Sequence, residues 1–318
     1  MKFLLRRLIM TIPILFLVSI MVFSLVHLIP GDPARVILGQ EATPEMYQNL
    51  RHELGLDKPL VEQYFLWLLK VLHGDLGMSI TDHVSVASLI AQRLPATIEL
   101  TIGTFLVAIL IAFPTGILAA VKRGTWIDYL STFTGLGGMS IPNFWLGLML
   151  IIFFAVNNHW LPASGYVPFT QNPVMNIEAM ILPCIATGIR ESAVIMRMLR
   201  SSLLEVVNMD FIRTAKAKGL DERATILGHA LRNAMIPVVT TSGLTVAGLL
   251  GGLVITESIF GIPGFGRLIV DSVFKRDYVT VQGAVLVSAA LVVMVNLVVD
   301  LLYAVIDPRM KAGKGVEA

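Results

Sequence analysis

The sequence predicts an all-α polytopic membrane protein with six transmembrane helices, both termini in the cytoplasm and a small external helical subdomain after the first helix. Three observations lead to this prediction. Of the 318 residues, 55% are hydrophobic and only 14% are charged, whereas an ordinary soluble chain has about 25% charged residues. The apolar residues gather into long runs, and Lys and Arg collect at one set of run ends. The formal net charge of +2 gives no overall basic balance that would indicate a nucleic-acid partner.

Six apolar runs are long enough to cross a bilayer, whose core of about 30 Å needs roughly 20 residues per helix. The first run follows Lys2, Arg6 and Arg7, but it is too long for a signal-peptide core and lacks a small-x-small cleavage site. We therefore expect it to be a retained helix. The predicted spans are approximately 8–29, 98–121, 132–156, 177–199, 236–256 and 280–304.

The cations near the run ends predict the orientation in the membrane. Lys and Arg are frequent before the first run, between the second and third, between the fourth and fifth and after the last. The 157–176 loop on the other side has none. Since loops rich in Lys and Arg stay inside, we expect both termini in the cytoplasm. The predicted organisation is 1–29, N-terminus and first helix; 30–97, external subdomain; 98–309, transmembrane core; and 310–318, cytoplasmic tail.

The external segment 30–97 has helix signals of its own. Thr43 and Pro44 fit an N-cap and a first helical position, and Gly55 fits the helix end. A second helix is predicted over 59–73, with one apolar face that packs on the membrane domain or on a partner. That face consists of Val61, Phe65, Leu68 and Leu72.

Small residues mark two surfaces for close helix packing. Gly243, Ala247, Gly248 and Gly252 form a stripe on the fifth span. Gly135, Gly137, Gly138 and Ser140 do the same at the start of the third. Packing inside the subunit is the simplest interpretation, and subunit pairing or a pore lining is the alternative.

Motifs of common catalytic and nucleotide sites are missing. The sequence has no G-x-x-x-x-G-K-[ST] loop, and GIPGFG at 261–266 lacks the glycine spacing of a dinucleotide fingerprint. Its six His residues form no H-x-x-x-H pair, so we expect no metal site and no catalysis within this chain. Arg190 and Glu191 lie inside the fourth run. We expect Arg190 to extend to the inner surface, with a cavity-lining role for Arg190 or Glu191 as the alternative.

A basic insert separates the fourth and fifth runs. Asp210 can cap a helix over 211–218, Gly219 fits a left-handed C′ position, and Asp221 can cap the next helix. Two capped helices joined at a Gly predict a rigid cytoplasmic elbow, which we define as residues 208–235. An apolar edge among the cations suits a groove on a soluble partner; an ordinary basic inside loop is the alternative. The edge consists of Phe211, Ala215 and Leu220.

The elbow resembles the coupling loop of ABC importer permeases, which shows E-A-A, three residues, Gly and, after a spacer, I-x-L-P. Here RTA at 213–215 stands at the position of E-A-A, Gly219 matches the Gly, and AMIP at 234–237 matches the close. Arg213 replaces the acidic residue, and the spacer is longer. Both departures are characteristic of the oligopeptide/dipeptide/nickel permease family, which shows R-T-A-x-A-K-G-L and R-N-A-x-x-P.

Further motifs extend the resemblance over nearly the whole chain. They are HLIPGDPA at 27–34, LGLDKPL at 54–60, GDLGMSI at 74–80, LPATIEL at 94–100, SIPNFWLG at 140–147, WLPASGY at 160–166, PGFGRL, RDY and VQ within 263–282, and NLVVDLLYAVIDPR at 296–309. The resemblance implies a subunit of the first-permease type in a bacterial inner membrane.

The resemblance also implies partners and site residues. The partners are a second homologous permease, two cytoplasmic ATPases that bind ATP and Mg, an external solute-binding protein and membrane lipid; this chain itself would bind no cofactor. The implied ATPase-coupling residues are Asp210, Arg213, Thr214, Ala215, Lys216, Ala217, Lys218, Gly219 and Leu220. Candidate path residues are Ser140, Asn143 and Asn296, for which helix–helix hydrogen bonds are the alternative role.

The cargo stays open at this stage. We expect peptides, with nickel, metal chelates or glutathione as alternatives that the same family carries. An ion-coupled secondary transporter is the alternative from another class, although such proteins normally have carboxylates near the midplane. A membrane scaffold without transport is the third possibility.

Overall fold

The fold is helical throughout the part of the chain that the computed structural model describes, residues 2–28, 43–53 and 57–306, and no strand occurs in these ranges. We number the helices in chain order. They are α1 (Lys2–Leu28), α2 (Pro44–Glu53), α3 (Leu60–Leu72), α4 (Val86–Val121), α5 (Trp126–Ser140), α6 (Asn143–Leu150, continued by π-helical Ile151–Asn157), α7 (Pro173–Val207), α8 (Asp210–Ala217), α9 (Glu222–Ala224, continued by π-helical Thr225–Ala230), α10 (Leu231–Gly251), α11 (Val254–Ile259), α12 (Phe265–Phe274) and α13 (Tyr278–Ile306).

Within the described residues, four helical stretches are long and apolar enough to cross a membrane. They are Val86–Val121, Pro173–Val207, Glu222–Gly251 and Tyr278–Tyr303. The pair α5 and α6 would add a fifth if it is one bent span, and α1 contains a shorter apolar stretch, Ile9–Ser24. The structure therefore confirms a polytopic helical membrane protein.

Two predicted spans are interrupted at identifiable residues. The run 132–156 bends by 97° between α5 and α6, because Pro142 holds the preceding Ile141 in an extended conformation (ψ 124°). The run 236–256 breaks at Gly252, whose φ of 145° is accessible only to Gly. Prediction of both as continuous spans was wrong for this reason.

The helix that carries the predicted span 98–121 begins earlier than expected, at Val86. Val86 and Ile90, one turn apart, are buried together with Phe265 and Ala284 in one apolar cluster. This packing extends the helix into the segment that the sequence assigned to the external subdomain.

The other helix signals of 43–73 have mixed outcomes. The Thr43 hydroxyl accepts a hydrogen bond from the Met46 N–H at 3.3 Å, as an N-cap does, while Gly55 lies outside the described residues. In α3, the predicted face at Val61, Phe65 and Leu72 is exposed. Instead Tyr64 is buried against α1, where its hydroxyl is 2.7 Å from that of Ser19. Because the Tyr64 hydroxyl has Ser19 as a hydrogen-bond partner, Tyr64 can be buried without an unsatisfied polar group.

Glycines allow the central helices to approach one another. A Cβ on Gly188 of α7 would overlap Val107 of α4, and one on Gly243 of α10 would overlap Val299 of α13. A Cβ on Gly135 of α5 would likewise overlap Met196 of α7. Packing inside the subunit is therefore confirmed for Gly135 and Gly243, as expected for membrane helices. A Cβ on Gly137 or Gly248 would have nothing within 4 Å, so these two glycines do not share this role.

Candidate functional site

The elbow leaves α7 after Val207 and turns twice before it enters α10. Gly219 has a φ of +85°, the left-handed value that the sequence predicted. The Asp221 carboxylate accepts a hydrogen bond from the Ala224 N–H at 3.2 Å, which confirms the second cap. From Glu222 the chain stays helical to Gly251. The second arm of the elbow is therefore continuous with a membrane helix.

The first cap of the elbow differs from the prediction. The helix begins at Asp210, so Met209 occupies the N-cap position, and its side chain accepts no capping hydrogen bond. The Asp210 carboxylate instead lies 3.3 Å from the Arg213 guanidinium, one turn along the same helix. Both side chains are exposed, and such a pair contributes little to stability.

One face of α8 packs on the protein and the other is exposed. Ile212 is fully buried in a cluster with Leu203 of α7 and Ala230 of the second arm. Ala215, one turn further, is buried on the same side, so its assignment to the exposed apolar edge was wrong. Phe211 and Leu220 do remain exposed, at 41% and 38%. Ile212 was not among the predicted site residues, although its i, i+3 spacing from Ala215 indicates one face.

The remaining coupling candidates lie on the exposed face of α8 and the following turn. None is buried, and in the sequence they lie between the two exposed apolar residues, Phe211 and Leu220. They are Arg213, Thr214, Lys216, Ala217, Lys218 and Gly219. This surface combines cations with apolar side chains on a helix that Ile212 anchors to the membrane domain.

A cavity of about 620 Å³ lies between α6, α7 and the α10–α11 break. Asn143 lines it, and the Oδ1 atom of Asn143 is buried without a hydrogen-bond partner in the described part of the chain. The interrupted backbone around Gly252 forms part of the wall. Irregular backbone at membrane depth is tolerated where it lines a cavity. The wall also contains Thr187, Arg190, Glu191, Val194, Thr241, Leu244, Thr245, Gly248 and Thr256.

Arg190 does not lie near a helix end. Helix α7 runs from Pro173 to Val207, which places Arg190 at its midpoint. This position does not favour the expectation that Arg190 extends to the inner surface, which stays a prediction. The alternative interpretation, a cavity-lining role for Arg190 and Glu191, is what the structure shows.

The three candidate path residues lie apart. Asn296 lines a different cavity of about 350 Å³, together with Arg7 and Asp300. Arg7 and Asp300 form an ion pair of 2.9 Å between α1 and α13. Ser140, at the end of α5, is not among the described residues that line either cavity. Leu244 lines both cavities.

The GIPGFG segment encloses a buried carboxylate, Glu257. Its Oε1 accepts a hydrogen bond from the Thr97 hydroxyl at 2.6 Å, and its Oε2 accepts one from the Arg267 N–H at 2.7 Å. A Cβ on Gly264 would overlap this carboxylate. Gly264 thus makes room for Glu257. This role was not predicted from the sequence, where the motif was compared only with a dinucleotide-binding fingerprint.

A second buried carboxylate, Asp277, connects two segments that are far apart in the sequence. It accepts hydrogen bonds from the hydroxyls of Ser79 at 2.5 Å and Thr280 at 2.8 Å, and from the Ile80 N–H at 3.2 Å. Burial alone would raise the pKa of Asp277, but the bonds from Ser79 and Thr280 outweigh it and hold the pKa below its ordinary value of 3.8. Close by, Lys275 pairs with Asp82 at 3.1 Å.

The structure also bears on metal binding. Over the described ranges, no group of three or more His, Cys, Asp or Glu side chains is arranged to hold a metal ion. Cys184 is buried between α7 and α4.

Comparison with known proteins identifies the family. A model described as "Binding-protein-dependent transport system inner membrane component" matches residues 112–312. A second, for the N-terminal part of such membrane components, matches residues 1–101. The chain belongs to this family of transport-system inner membrane components. This permease is therefore a multi-pass protein of the bacterial inner membrane and a subunit of an ABC transporter.

Individual relatives align with the permease over nearly its full length. It is 43% identical to the dipeptide transport system permease protein DppB of Escherichia coli (strain K12), covering 98% of this chain and 99% of that protein. It is also 43% identical to DppB of Alkalihalophilus pseudofirmus, covering 96% and 98%.

Solved structures support the fold of the permease. An inward-facing form of the MetNI methionine ABC transporter matches with a TM-score of 0.57 at 16% identity. The match covers 69% of this chain and 96% of that one. At this identity the likeness concerns the fold alone.

Proposed function

We propose that this permease and a second, homologous permease form the membrane path of an ABC importer for dipeptides and oligopeptides. The observation that carries the proposal is 43% identity to a dipeptide permease over 98% of the chain. The cargo named for that relative is the basis for proposing peptides here.

The elbow is the proposed site of energy input. Two cytoplasmic ATPases would bind and hydrolyse ATP with Mg, and each permease would insert its elbow into a groove of one ATPase. Phe211 and Leu220 would enter the groove, and Arg213 and Lys216 would contact its rim. Because Ile212 anchors α8 and the second arm continues into α10, a movement of the groove would tilt α7 and α10 together.

The proposed topology places the elbow and both termini in the cytoplasm. Counting α1 and the bent α5–α6 pair as spans gives the six of the sequence analysis. On the opposite side, the 30–97 segment and the 257–279 loop would dock the solute-binding protein. The hydrogen bonds that Asp277 accepts from Ser79 and Ile80 support this assignment, because they join the two segments into one surface.

The cavity at Asn143 is the proposed path. Its supporting features are an unpaired amide oxygen, an interrupted helix in the wall and a charged pair at the midpoint of α7. Asn296 would line a neighbouring section. Ser140 has less support, since neither cavity includes it.

Reconstitution tests the proposal. The permease would be assembled with its second permease, ATPases and binding protein in proteoliposomes, and uptake of radiolabelled dialanine measured with ATP inside. ATP-dependent uptake of dialanine is the expected result. If only a nickel chelate or glutathione is taken up, that compound is the cargo and peptides are not. If this chain alone takes up its cargo on an ion gradient, the protein is a secondary transporter.

A further inference from the structure

Arg190 and Glu191 carry opposite charges into the same cavity, yet they form no direct ion pair with each other in the described structure. Among the described residues, neither side chain has a hydrogen bond or an ion pair within 4.0 Å. Adjacent side chains on a helix point about 100° apart, which explains why they diverge. Both charges are therefore available to a ligand in the cavity.

The surroundings of this pair resemble a binding site for a small polar ligand. Leu244, Leu249 and Leu253 provide apolar walls, and a few polar groups converge between them. The Thr187 and Thr256 hydroxyls pair with each other at 3.1 Å, whereas Asn143 Oδ1 has no partner in the described structure. Apolar walls with a few convergent polar groups are typical of small-molecule sites, and 620 Å³ lies within their range of roughly 300–1,000 Å³.

We propose that Arg190 and Glu191 form a binding station for the two charged ends of a short peptide during its passage. The Arg190 guanidinium binds the C-terminal carboxylate, the Glu191 carboxylate binds the N-terminal ammonium, and Asn143 Oδ1 accepts a peptide N–H. This inference rests on the proposed function and names the chemical feature of the cargo that the permease itself recognises.

A short peptide with free ends carries two opposite charges that are well separated. An extended chain spans about 3.3–3.6 Å per residue, so the charged ends of a dipeptide or tripeptide are about 7 to 10 Å apart. Such a ligand offers one charged end to each of two diverging side chains, whereas a single small ion carries only one charge. Charged side chains inside a membrane span are energetically costly when they have no ion-pair partner. Their presence in α7 therefore indicates a role in the path.

Ligands with blocked ends test the station directly. The complex of both permeases and the ATPases, without the binding protein, would be placed in nanodiscs, and equilibrium binding of dialanine, N-acetyl-dialanine and dialanine amide measured. Each blocked peptide should bind the wild type about tenfold more weakly, the loss expected for one charge-assisted hydrogen bond. Arg190→Gln should bind dialanine and its amide equally and still prefer a free amine. Glu191→Gln should show the reverse pattern.

Matched variants separate the station from a general effect on α7. Arg197→Gln removes another cation of the same helix that does not line the cavity, and it should keep both preferences. If Arg190→Gln fails to assemble, Arg190→Lys keeps the charge without the planar fork, and it should weaken dialanine binding while retaining some preference for a free carboxylate.

The inference is overturned if Arg190→Gln and Glu191→Gln keep the wild-type preferences, or if Arg197→Gln loses them equally. It is also overturned if the wild-type complex shows no preference while it imports dialanine in proteoliposomes. That last result would leave the proposed function intact. Failure of the wild type to import any peptide would instead contradict the proposed function, so the two failures can be told apart.

Discussion

Arg200 and Asp128 are joined by two parallel hydrogen bonds, from Nε to Oδ1 at 2.7 Å and from Nη2 to Oδ2 at 2.9 Å. The Gly124 N–H also donates to Oδ2, at 3.0 Å. The Asp128 side chain is 6% exposed and that of Arg200 is 27% exposed. The pair therefore connects α5 and the turn before it to α7 with bidentate geometry, which a Lys at position 200 would not reproduce.

Breaking this pair should destabilise the permease. Asp128→Asn leaves Arg200 without its charged partner, and removal of one member of a buried pair costs about 3–5 kcal/mol. Because Arg200 is partly exposed, we expect a loss of about 2 kcal/mol. A lower Tm of the detergent-solubilised complex would show it. Arg123→Gln, which removes an exposed cation near α5, is the control and should leave Tm unchanged; equal Tm values for all three proteins would contradict the prediction.

Helix caps and a turn that depend on only a few neighbouring residues were predicted correctly from the sequence at three positions. Thr43, Gly219 and Asp221 were each assigned the conformation or cap that the structure shows. A cap or a left-handed turn depends on the residue itself and on neighbours up to four positions away, so the local sequence contains the information. The apolar runs likewise located the membrane helices, because their length and composition are local properties.

Relationships across the fold could not be predicted in this way. Asp128 and Arg200 meet only because α5 and α7 pack together, and Asp277 meets Ser79 across most of the chain. The predicted end of the fourth span, near residue 199, differs from the end of α7 at Val207, because the apolar run ends before the helix does. Hydrophobicity marks where lipid contact ends, and polar residues can continue the same helix beyond it.

Adding a methyl group at Gly264 should disturb the carboxylate that this segment encloses. A Cβ there would overlap the Glu257 carboxyl group, which is bonded to Thr97 and to the Arg267 N–H and cannot move freely. Gly264→Ala should therefore cost about 1–3 kcal/mol, as overpacking does elsewhere. The measurement is Tm of the purified complex.

Gly137→Ala is the matched control for that substitution. Gly137 lies inside α5, and nothing is within 4 Å of a Cβ there. Since Ala favours a helix more than Gly does, this variant should be equally or slightly more stable, by up to about 1 kcal/mol. A Gly264→Ala protein as stable as Gly137→Ala would show that Glu257 does not need the space.

Replacing Asp277 should loosen the link between the two outer segments. Asp277→Asn loses a charged acceptor for the Ser79 and Thr280 hydroxyls, and hydrogen bonds to charged groups contribute about 1.5–3 kcal/mol. The Ile80 amide, bonded to Asp277 at 3.2 Å, should then exchange its hydrogen faster. The control is Asp271→Asn, at an exposed carboxylate, which should leave Ile80 exchange unchanged.

The same carboxylate gives a pH dependence with a defined sign. The pKa of Asp277 lies below its ordinary value of 3.8, so the folded state favours the ionised form. Its contribution to stability is complete above about pH 3.9, the value of an unfolded Asp, and is lost as the pH falls through the lowered pKa. The difference in Ile80 exchange between wild type and Asp277→Asn should be constant from about pH 5 to pH 8. A difference that changes within this range would contradict the assignment.

Reversing two charges of the elbow should uncouple ATP hydrolysis from uptake. Arg213 and Lys216 are exposed on α8, whereas Ile212 provides its packing, so Arg213→Glu with Lys216→Glu should fold and insert normally. We expect loss of ATP-dependent dialanine uptake at an unchanged membrane level of the permease. Arg123→Glu, a reversal outside the elbow, should transport normally. Normal coupling in the double variant would exclude this surface as the ATPase contact.

The turn at Gly219 allows a test of backbone geometry alone. No atom lies within 4 Å of a Cβ at this position, so a substitution adds no clash, but φ is +85°. A β-branched residue is a strong outlier in this region, where even an unbranched residue costs roughly 1–2 kcal/mol. Gly219→Val should therefore change the angle between α8 and the second arm and abolish uptake while membrane insertion persists. Gly219→Asn, which tolerates the left-handed region, should retain most uptake. Equal uptake by the Val and Asn variants would show that transmission does not depend on a fixed angle at the elbow.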